Sequence, residues 1–370
     1  MDNILIIKIS LIFLSSLAFS FLINSLFLKF SKSLGIRDID DKVIRWSTTS
    51  KPAFGGIAFF ITFLLTLTQY LLIFDGIGTA FNLQWIGIVT AISIGFLIGL
   101  ADDAYNTNPA LKFIGQAICA ITLILTGSSI SLFESDILNF ALSFLWVIGL
   151  MNSINMLDNM DGISTTASIM ALVSMLVVLS FQGYSNSLFF ILIIGLIASL
   201  CGFLYFNWHP SRMYMGDSGS QFLGISLAAF SIPILWNFQS AADNNSLFLQ
   251  IILPILAFIV PLSDTTTVVI NRIKEGRSPF IGGKDHTTHH LSYLGLSDSS
   301  ITIIVTGIGV GAIFAILIAI SIENWLPIHT ILYGIYAISI FLSLFLITVY
   351  NNNKKKKKDE QKEDKINYRT

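Results

Sequence analysis

Residues Ile137 to Gly162 read ILNFALSFLWVIGLMNSINMLDNMDG. The stretch begins as a mostly apolar run of about twenty residues, the length a helix needs to cross a bilayer. It ends in Asn152, Asn155, Asp158, Asn159 and Asp161. Asn152, Asn155 and Asp158 are spaced i, i+3, i+6, which puts them on one helix face. Polar groups are costly where water is absent, so such a face at the end of a span is expected to line a site.

The whole chain has the same character. Its 370 residues are 54% hydrophobic and 12% charged, with a mean hydropathy of +0.76. A soluble domain carries about 25% charged residues. Length alone would favour two soluble domains; the apolar runs exclude them. The expected fold is all-α: a polytopic membrane bundle over residues 1–350, then a charged tail, 351–370, with no regular structure. Eleven spans are expected, at 6–28, 53–74, 84–101, 110–127, 137–156, 161–181, 187–206, 218–238, 247–271, 300–322 and 327–349. The first reads as a retained span and not a cleaved leader. Cys119 and Cys201 lie inside apolar runs and read as small core residues. Pro254 and Pro261 should bend the ninth span, either for packing alone or to open a groove for a lipid chain.

Charge orients the bundle. The connections starting at 75, 128, 182, 239 and 323 hold no Lys or Arg. The other side holds Lys29, Lys32, Arg37, Lys42, Arg45, Lys51, Lys112, Arg212, Arg272, Lys274, Arg277, Lys284 and the eight cations of the tail, twenty of twenty-one, with Lys8 the exception. The N-terminus is therefore expected outside, and the tail and the polar clusters on the cytoplasmic face of a plasma or inner membrane.

Four clusters lie on that face. Asp102-Asp103 suits Mg²⁺ or a base whose pKa is raised by its like neighbour, or is simply a solvated helix end. Lys112 would neutralise that pair, meet a phosphate, or anchor the span. In Met215-Gly-Asp217-Ser-Gly219, the glycines allow close approach of a ligand and the helix start suits phosphate, while Asp217 would equally serve as an N-cap. Tyr214 would stack a base or sit at the interface. The loop after residue 271 carries Arg277, Lys284, His286, His289 and His290. H-x-x-H-H admits zinc, but the nearby cations and the hard oxygen ligands elsewhere favour a diphosphate site over zinc. Acids for Mg²⁺, cations for phosphate and a membrane setting describe phosphoryl transfer between a nucleotide and a lipid.

These motifs resemble the polyprenyl-phosphate N-acetylhexosaminyl-1-phosphate transferases of the MraY and WecA types. The match rests on Leu-Ala-Asp102-Asp103, on Asn152-x-x-Asn155-x-x-Asp158-x-x-Asp161-Gly162, on Met215-Gly-Asp217-Ser-Gly, and on Gly276-Arg277-Ser-Pro-Phe followed by His286-x-x-His289-His290. Lys51-Pro52-x-x-Gly55-Gly56 fits as well. The resemblance implies a UDP-sugar and polyprenyl phosphate as partners, with Mg²⁺ (or Mn²⁺) as cofactor, in a reaction that starts a cell-envelope glycan. It places Asn155 and Asp217 on the metal. Asp102, Asp103, Asp158, His286 and His289 form the catalytic set, with Asp102 or Asp103 deprotonating or orienting the lipid phosphate. Lys51, Lys112, Asn152, Asp161, Tyr214, Arg277 and His290 bind substrate. Among these groups, Asp158, Asp161, Lys51 and Tyr214 lie toward the nucleotide and Arg277 with the histidines toward the diphosphate. Asn152 is the member with the weakest tie to chemistry. The family's usual histidine run is tighter than the one spaced here by Thr287 and Thr288. That spacing, with Gly-Arg-Ser-Pro-Phe, favours the UDP-GlcNAc branch over the UDP-MurNAc-pentapeptide branch. An ion-coupled transporter is the alternative of another class, but it needs ionisable groups at mid-span. No nucleic-acid partner is expected, and the apolar faces admit a homodimer.

Overall fold

A computed structural model of the chain describes residues 3–34, 51–74, 82–239, 246–279 and 282–367. Arg37, Lys42, Arg45 and Arg369, used above to orient the bundle, lie outside the described residues. The helices in chain order are α1 Asn3–Leu34, α2 Gly55–Ile73, α3 Leu83–Tyr105, α4 Pro109–Leu125, α5 Asp136–Leu157, α6 Ile163–Phe181, α7 Leu188–Asn207, α8 Gly216–Ser231, α9 Ser246–Ala257, α10 Ile259–Lys274, α11 Thr287–Tyr293, α12 Asp298–Ser321 and α13 Pro327–Asn367. Among the described residues, nine helices are long and apolar enough to cross a membrane, the α9–α10 pair makes ten, and α4 is a shorter apolar helix of 17 residues. Each of the eleven expected spans therefore corresponds to an apolar helix or helix pair.

Local signals set the helix starts. Asn82 Oδ1 accepts from the Trp85 amide at 2.8 Å, and Asn108 Oδ1 from that of Ala110 at 2.9 Å, with Pro109 at the first position of α4. Both are N-cap arrangements that satisfy otherwise orphaned donors. Lys8, the cation on the wrong side of the charge count, donates to the Ile73 carbonyl at 3.0 Å and sits over the Phe74 ring. It caps the end of α2.

The central element is α8, continued by a π turn over Ile232–Trp236. Its most apolar stretch is 94% buried, against 11% for α13. Small residues make this position accessible: Gly216, Ser218, Gly219, Ser220, Gly224, Ser226, Ala228 and Ala229 let α2, α3 and α5 approach closely. The ninth expected span is two helices at 77°, broken at Phe258 between Pro254 and Pro261. Pro261 has no N–H for the preceding turn, so it fits the first turn of a new helix. On α5, the Ser153 hydroxyl donates to the Pro261 carbonyl at 2.8 Å, fixing the break against the helix that carries the Asn/Asp face. The charged segment beyond residue 350 continues α13 as far as Asn367, where composition led us to expect no regular structure. Lys, Glu and Gln are good helix formers, and an existing helix is easier to extend than to nucleate.

Candidate active site

Four helix ends bring their polar residues together. Asp102 and Asp103 end α3, Lys112 lies in the first turn of α4, Asn155 in the last turn of α5, and Asp217 in the first turn of α8. Lys112 Nζ donates to Asp102 Oδ2 at 2.9 Å, to Asp217 Oδ1 at 2.9 Å and to Asn155 Oδ1 at 3.4 Å. Asn155 Nδ2 donates to Asp217 Oδ1 at 2.6 Å and to Ser220 Oγ at 2.8 Å. Three hard oxygens from three helices thus surround one cation. Among the described residues, no three His, Cys, Asp or Glu side chains gather closely enough to hold a metal by themselves. An oxygen site here needs the Asn155 amide.

The acidic pair divides its labour. Asp102 Oδ1 accepts from the Thr107 amide and hydroxyl at 2.9 and 2.6 Å, which leaves Oδ2 to face Lys112. Asp103, expected among the catalytic groups, accepts the Asp217 and Ser218 amides at 2.9 Å each. It caps α8 from another helix, where an anion is favoured. Gly216 makes room for it: its φ is 76°, and a Cβ there would lie 2.7 Å from Asp103 Oδ2. Gly219 serves packing and not a ligand, since its Cβ would meet Met215 and the Gly56 backbone.

Asp158 follows α5 and is half-buried. Its carboxylate has no hydrogen-bond partner among the described residues. Burial, then the charges of Asp217, Asp103 and Asp161, push its pKa up to about 8. Asn152, expected to touch substrate, is turned inward: its Nδ2 donates to Gln116 Oε1 at 2.8 Å and to the Ile148 carbonyl at 2.9 Å.

A second polar group forms beside the first. Asp161 accepts the Ser211 amide at 2.9 Å and hydroxyl at 2.7 Å, pairs with His209 Nδ1 at 3.0 Å, and lies 3.9 Å from Lys51 Nζ. Lys51 donates to Ser211 Oγ at 2.9 Å and covers one face of the Tyr214 ring, 5.1 Å from its centroid. That face is closed to a stacked base. The Tyr214 backbone joins the Lys51 segment, with its amide donating to the Pro52 carbonyl at 2.9 Å and its carbonyl accepting from Gly55 at 3.2 Å.

The three histidines of the loop, His286, His289 and His290, are all buried. His286 Nδ1 pairs with Asp264 Oδ2 at 2.8 Å, and Asp264 Oδ1 accepts the Thr287 amide and hydroxyl at 2.8 and 2.6 Å. Fully buried Asp264 therefore fastens α11 to α10 just beyond the break. The Thr288 hydroxyl donates to Asn159 Oδ1 at 2.8 Å, which links α11 to the Asn/Asp stretch. His290 packs edge-on against Tyr293, and its carbonyl accepts from Asn351 Nδ2 at 2.8 Å. Arg277 is exposed and pairs with Glu275 and Asp285. The buried cation of this loop is Arg272, which forks onto Asp285 at 2.8 and 2.9 Å. Burial would raise the Asp285 pKa, but the Arg272 hydrogen bond and charge outweigh it and hold the pKa at about 2.

His289 gives the loop a measurable pH response. Burial, reinforced by the charge of His286, lowers its pKa to about 3. The unfolded chain takes up that proton near pH 6.5. Stability is therefore complete above about pH 6.5 and falls as pH drops, by about 2 kcal/mol at pH 5. In detergent, the unfolding midpoint of the wild type should fall further between pH 7 and pH 5 than that of His289→Gln. Equal falls would place the acid lability elsewhere.

Asp264, Gln116 and Gln221 were not among the residues expected from sequence, and Arg272 entered only in the charge count. The available signal was an ionisable or amide group inside an apolar run, which is costly unless it has a task. An apolar cavity of about 410 Å³ lies among α6, α7 and α12, lined by Val173, Phe181, Phe190 and Leu317 among others. Those residues belong to the opposite helix ends from the polar clusters.

Fold and site together define a polytopic helical membrane protein whose chemistry is built from helix ends. Residues 85–235, from α3 to α8, match glycosyl transferase family 4. The chain is similar to the probable undecaprenyl-phosphate N-acetylglucosaminyl 1-phosphate transferase of Bacillus subtilis strain 168, with 30% identity over 308 residues, 80% of this chain and 78% of that one. It is similar to the decaprenyl-phosphate N-acetylglucosaminephosphotransferase of Mycobacterium leprae, with 27% identity over 287 residues and 70% of each chain. It is also similar to the phospho-N-acetylmuramoyl-pentapeptide-transferase of Listeria monocytogenes, with 26% identity over 310 residues, 79% of this chain and 90% of that one. The chain belongs to glycosyl transferase family 4.

Proposed function

We propose that this protein transfers GlcNAc-1-phosphate from UDP-GlcNAc to polyprenyl phosphate, releasing UMP and leaving the sugar on a lipid diphosphate. The observation that carries this reading is the convergence of Asp102, Asn155 and Asp217 on the Lys112 ammonium. Two of the three relatives named above act, by their names, on a polyprenyl phosphate with an N-acetylglucosaminyl phosphate. We place the cluster at the cytoplasmic face of the plasma membrane, on the side that holds twenty of the twenty-one basic residues.

The donor set fits Mg²⁺, because its oxygens are hard and already arranged about a cation. Asp217, Asn155 and Asp102 would hold the ion, which would neutralise the diphosphate and stabilise the leaving phosphate. An oxygen of the lipid phosphate attacks the β-phosphorus, the bond from that phosphorus to the bridging oxygen breaks, and UMP departs with that oxygen. Lys112 adds positive charge beside the diphosphate. Asp158 is the group best suited to take a proton from the lipid phosphate, since its pKa of about 8 is near working pH and its oxygens are not engaged among the described residues. Asp103 is the less suited of the two carboxylates for that step, with both oxygens held by backbone amides. Lys51, Asp161 and Ser211 form the group we assign to the nucleotide.

Purified protein given a panel of UDP-sugars, polyprenyl phosphate and Mg²⁺ should release UMP from UDP-GlcNAc. Release only from UDP-MurNAc-pentapeptide would move the protein to the other branch. No release from any UDP-sugar would overturn the reading.

A further inference from the structure

One helical turn inward from the cluster, three of its four helices, α4, α5 and α8, each carry an amide. Gln116 follows Lys112 by four residues on α4, Asn152 precedes Asn155 by three on α5, and Gln221 follows Asp217 by four on α8. Those spacings stack each amide beneath its partner in the cluster. Gln116 Nε2 donates to Gln221 Oε1 at 3.0 Å and to Asn152 Oδ1 at 3.3 Å, while Asn152 Nδ2 donates back to Gln116 Oε1 at 2.8 Å. Gln116 and Gln221 are 1% and 0% exposed. Gln221 Nε2 is buried with no hydrogen-bond partner among the described residues, so the tier is retained at a cost in stability.

Helix α4 needs such a fastening. Leu111, Phe113, Ile114, Ile118, Ile121 and Leu125 are all exposed on it, and lipid offers these side chains as good an environment as a neighbouring helix does. The fully buried apolar side chains of α4 are Cys119, Ala120 and Leu123, two of them small, so apolar burial by itself fixes its rotation and height against α5 and α8 only loosely. Besides Lys112 itself, Gln116 makes the side-chain hydrogen bonds from α4 to those two helices. A small turn or slide of α4 would carry Lys112 off Asp217 and Asn155.

We infer that Gln116, Asn152 and Gln221 are positioning residues that fix where Lys112, Asn155 and Asp217 meet, with Gln116 setting the register of α4. The inference rests on the transferase reading for its turnover arm but not for its metal arm. Two variants of the full chain test it in detergent: Gln116→Leu, and Gln116→Leu/Asn152→Leu/Gln221→Leu. The triple variant leaves none of the three amides buried without partners, so its unfolding midpoint should return to that of the wild type. Mn²⁺ affinity, read from the electron paramagnetic resonance of the free ion, should fall about tenfold to a hundredfold in both variants. The kcat for UMP release should fall by a similar factor, about tenfold to a hundredfold, with KM for the UDP-sugar little changed. A triple variant that recovers Mn²⁺ affinity and kcat along with its midpoint would make the tier merely structural and overturn the inference. Wild-type protein that binds Mn²⁺ but releases no UMP would overturn the transferase reading, leaving the tier judged on Mn²⁺ affinity. If the wild type instead releases UMP but binds no Mn²⁺, kcat decides, and unchanged kcat in the variants overturns the tier. Protein that does neither has nothing for the tier to position, and both readings fall.

Discussion

Asp217→Asn should lower UMP release by about a thousandfold while leaving the unfolding midpoint where it is. The Asp217 carboxylate is where the cluster meets, since both Lys112 Nζ and Asn155 Nδ2 donate to its Oδ1. An amide of the same shape removes the negative charge, which takes away both the ion pair with Lys112 and the strongest oxygen ligand of the proposed metal site. The start of α8 stays in place, because Asp103 grips the backbone amides of residues 217 and 218 and not the side chain. Asp103→Asn should behave differently, lowering midpoint and turnover together, because its new N–H groups would face backbone donors. Turnover at the wild-type rate in Asp217→Asn would remove Asp217 from the chemistry.

The second large effect lies at Gly99, on α3. A Cβ at this position would meet the Asp217 carbonyl oxygen and lie 2.5 Å from Ser218 Cα. Both obstacles are backbone and cannot rotate away, so Gly99→Ala must push α3 from the start of α8. Overpacking of this kind destabilises by about 1–3 kcal/mol. It also disturbs the contact that lets Asp103 cap α8, and a displacement of about 1 Å at a reacting centre costs about a hundredfold in rate. We expect Gly99→Ala to lower both the unfolding midpoint and UMP release. Gly149→Ala, where a Cβ meets nothing within 4 Å, is the control that should leave both unchanged. A Gly99→Ala protein indistinguishable from that control would mean the two helices are free to separate.

The expected spans were legible because hydropathy is a property of consecutive residues. The run from Ile137 carries its own evidence of being a membrane helix, and α5 forms there. The bend of the ninth span was legible from Pro254 and Pro261 in the same local way. The helical run past residue 350 was not legible from apolar content, which is low there, although its residues are good helix formers.

The site was legible as types of residue and much less as relations between them. Asp102, Lys112, Asn155 and Asp217 were all expected to matter, yet nothing local says that the four meet at one point. Asp102 and Asp103 are neighbours in sequence, and their tasks separate because consecutive helix residues point in different directions. Asn152 and Asn155 share a face, but only one of them stands at the surface of the cluster. Asp264 and Gln116 were hidden for another reason: each belongs to an apolar run in which the eye counts the apolar residues.

By itself, then, the sequence determined an all-α membrane bundle, its helix-forming segments, and the motifs that resemble glycan-initiating transferases. Only the tertiary structure decided that Lys112 draws three helices onto one point, that Asp103 holds the start of α8, and that Asp264 anchors the histidine helix across a break. The reason is physical. Hydrophobic periodicity and capping act within a few residues along the chain, whereas contacts such as that between Lys112 and Asp217, 105 positions apart, depend on which helices pack and at what height.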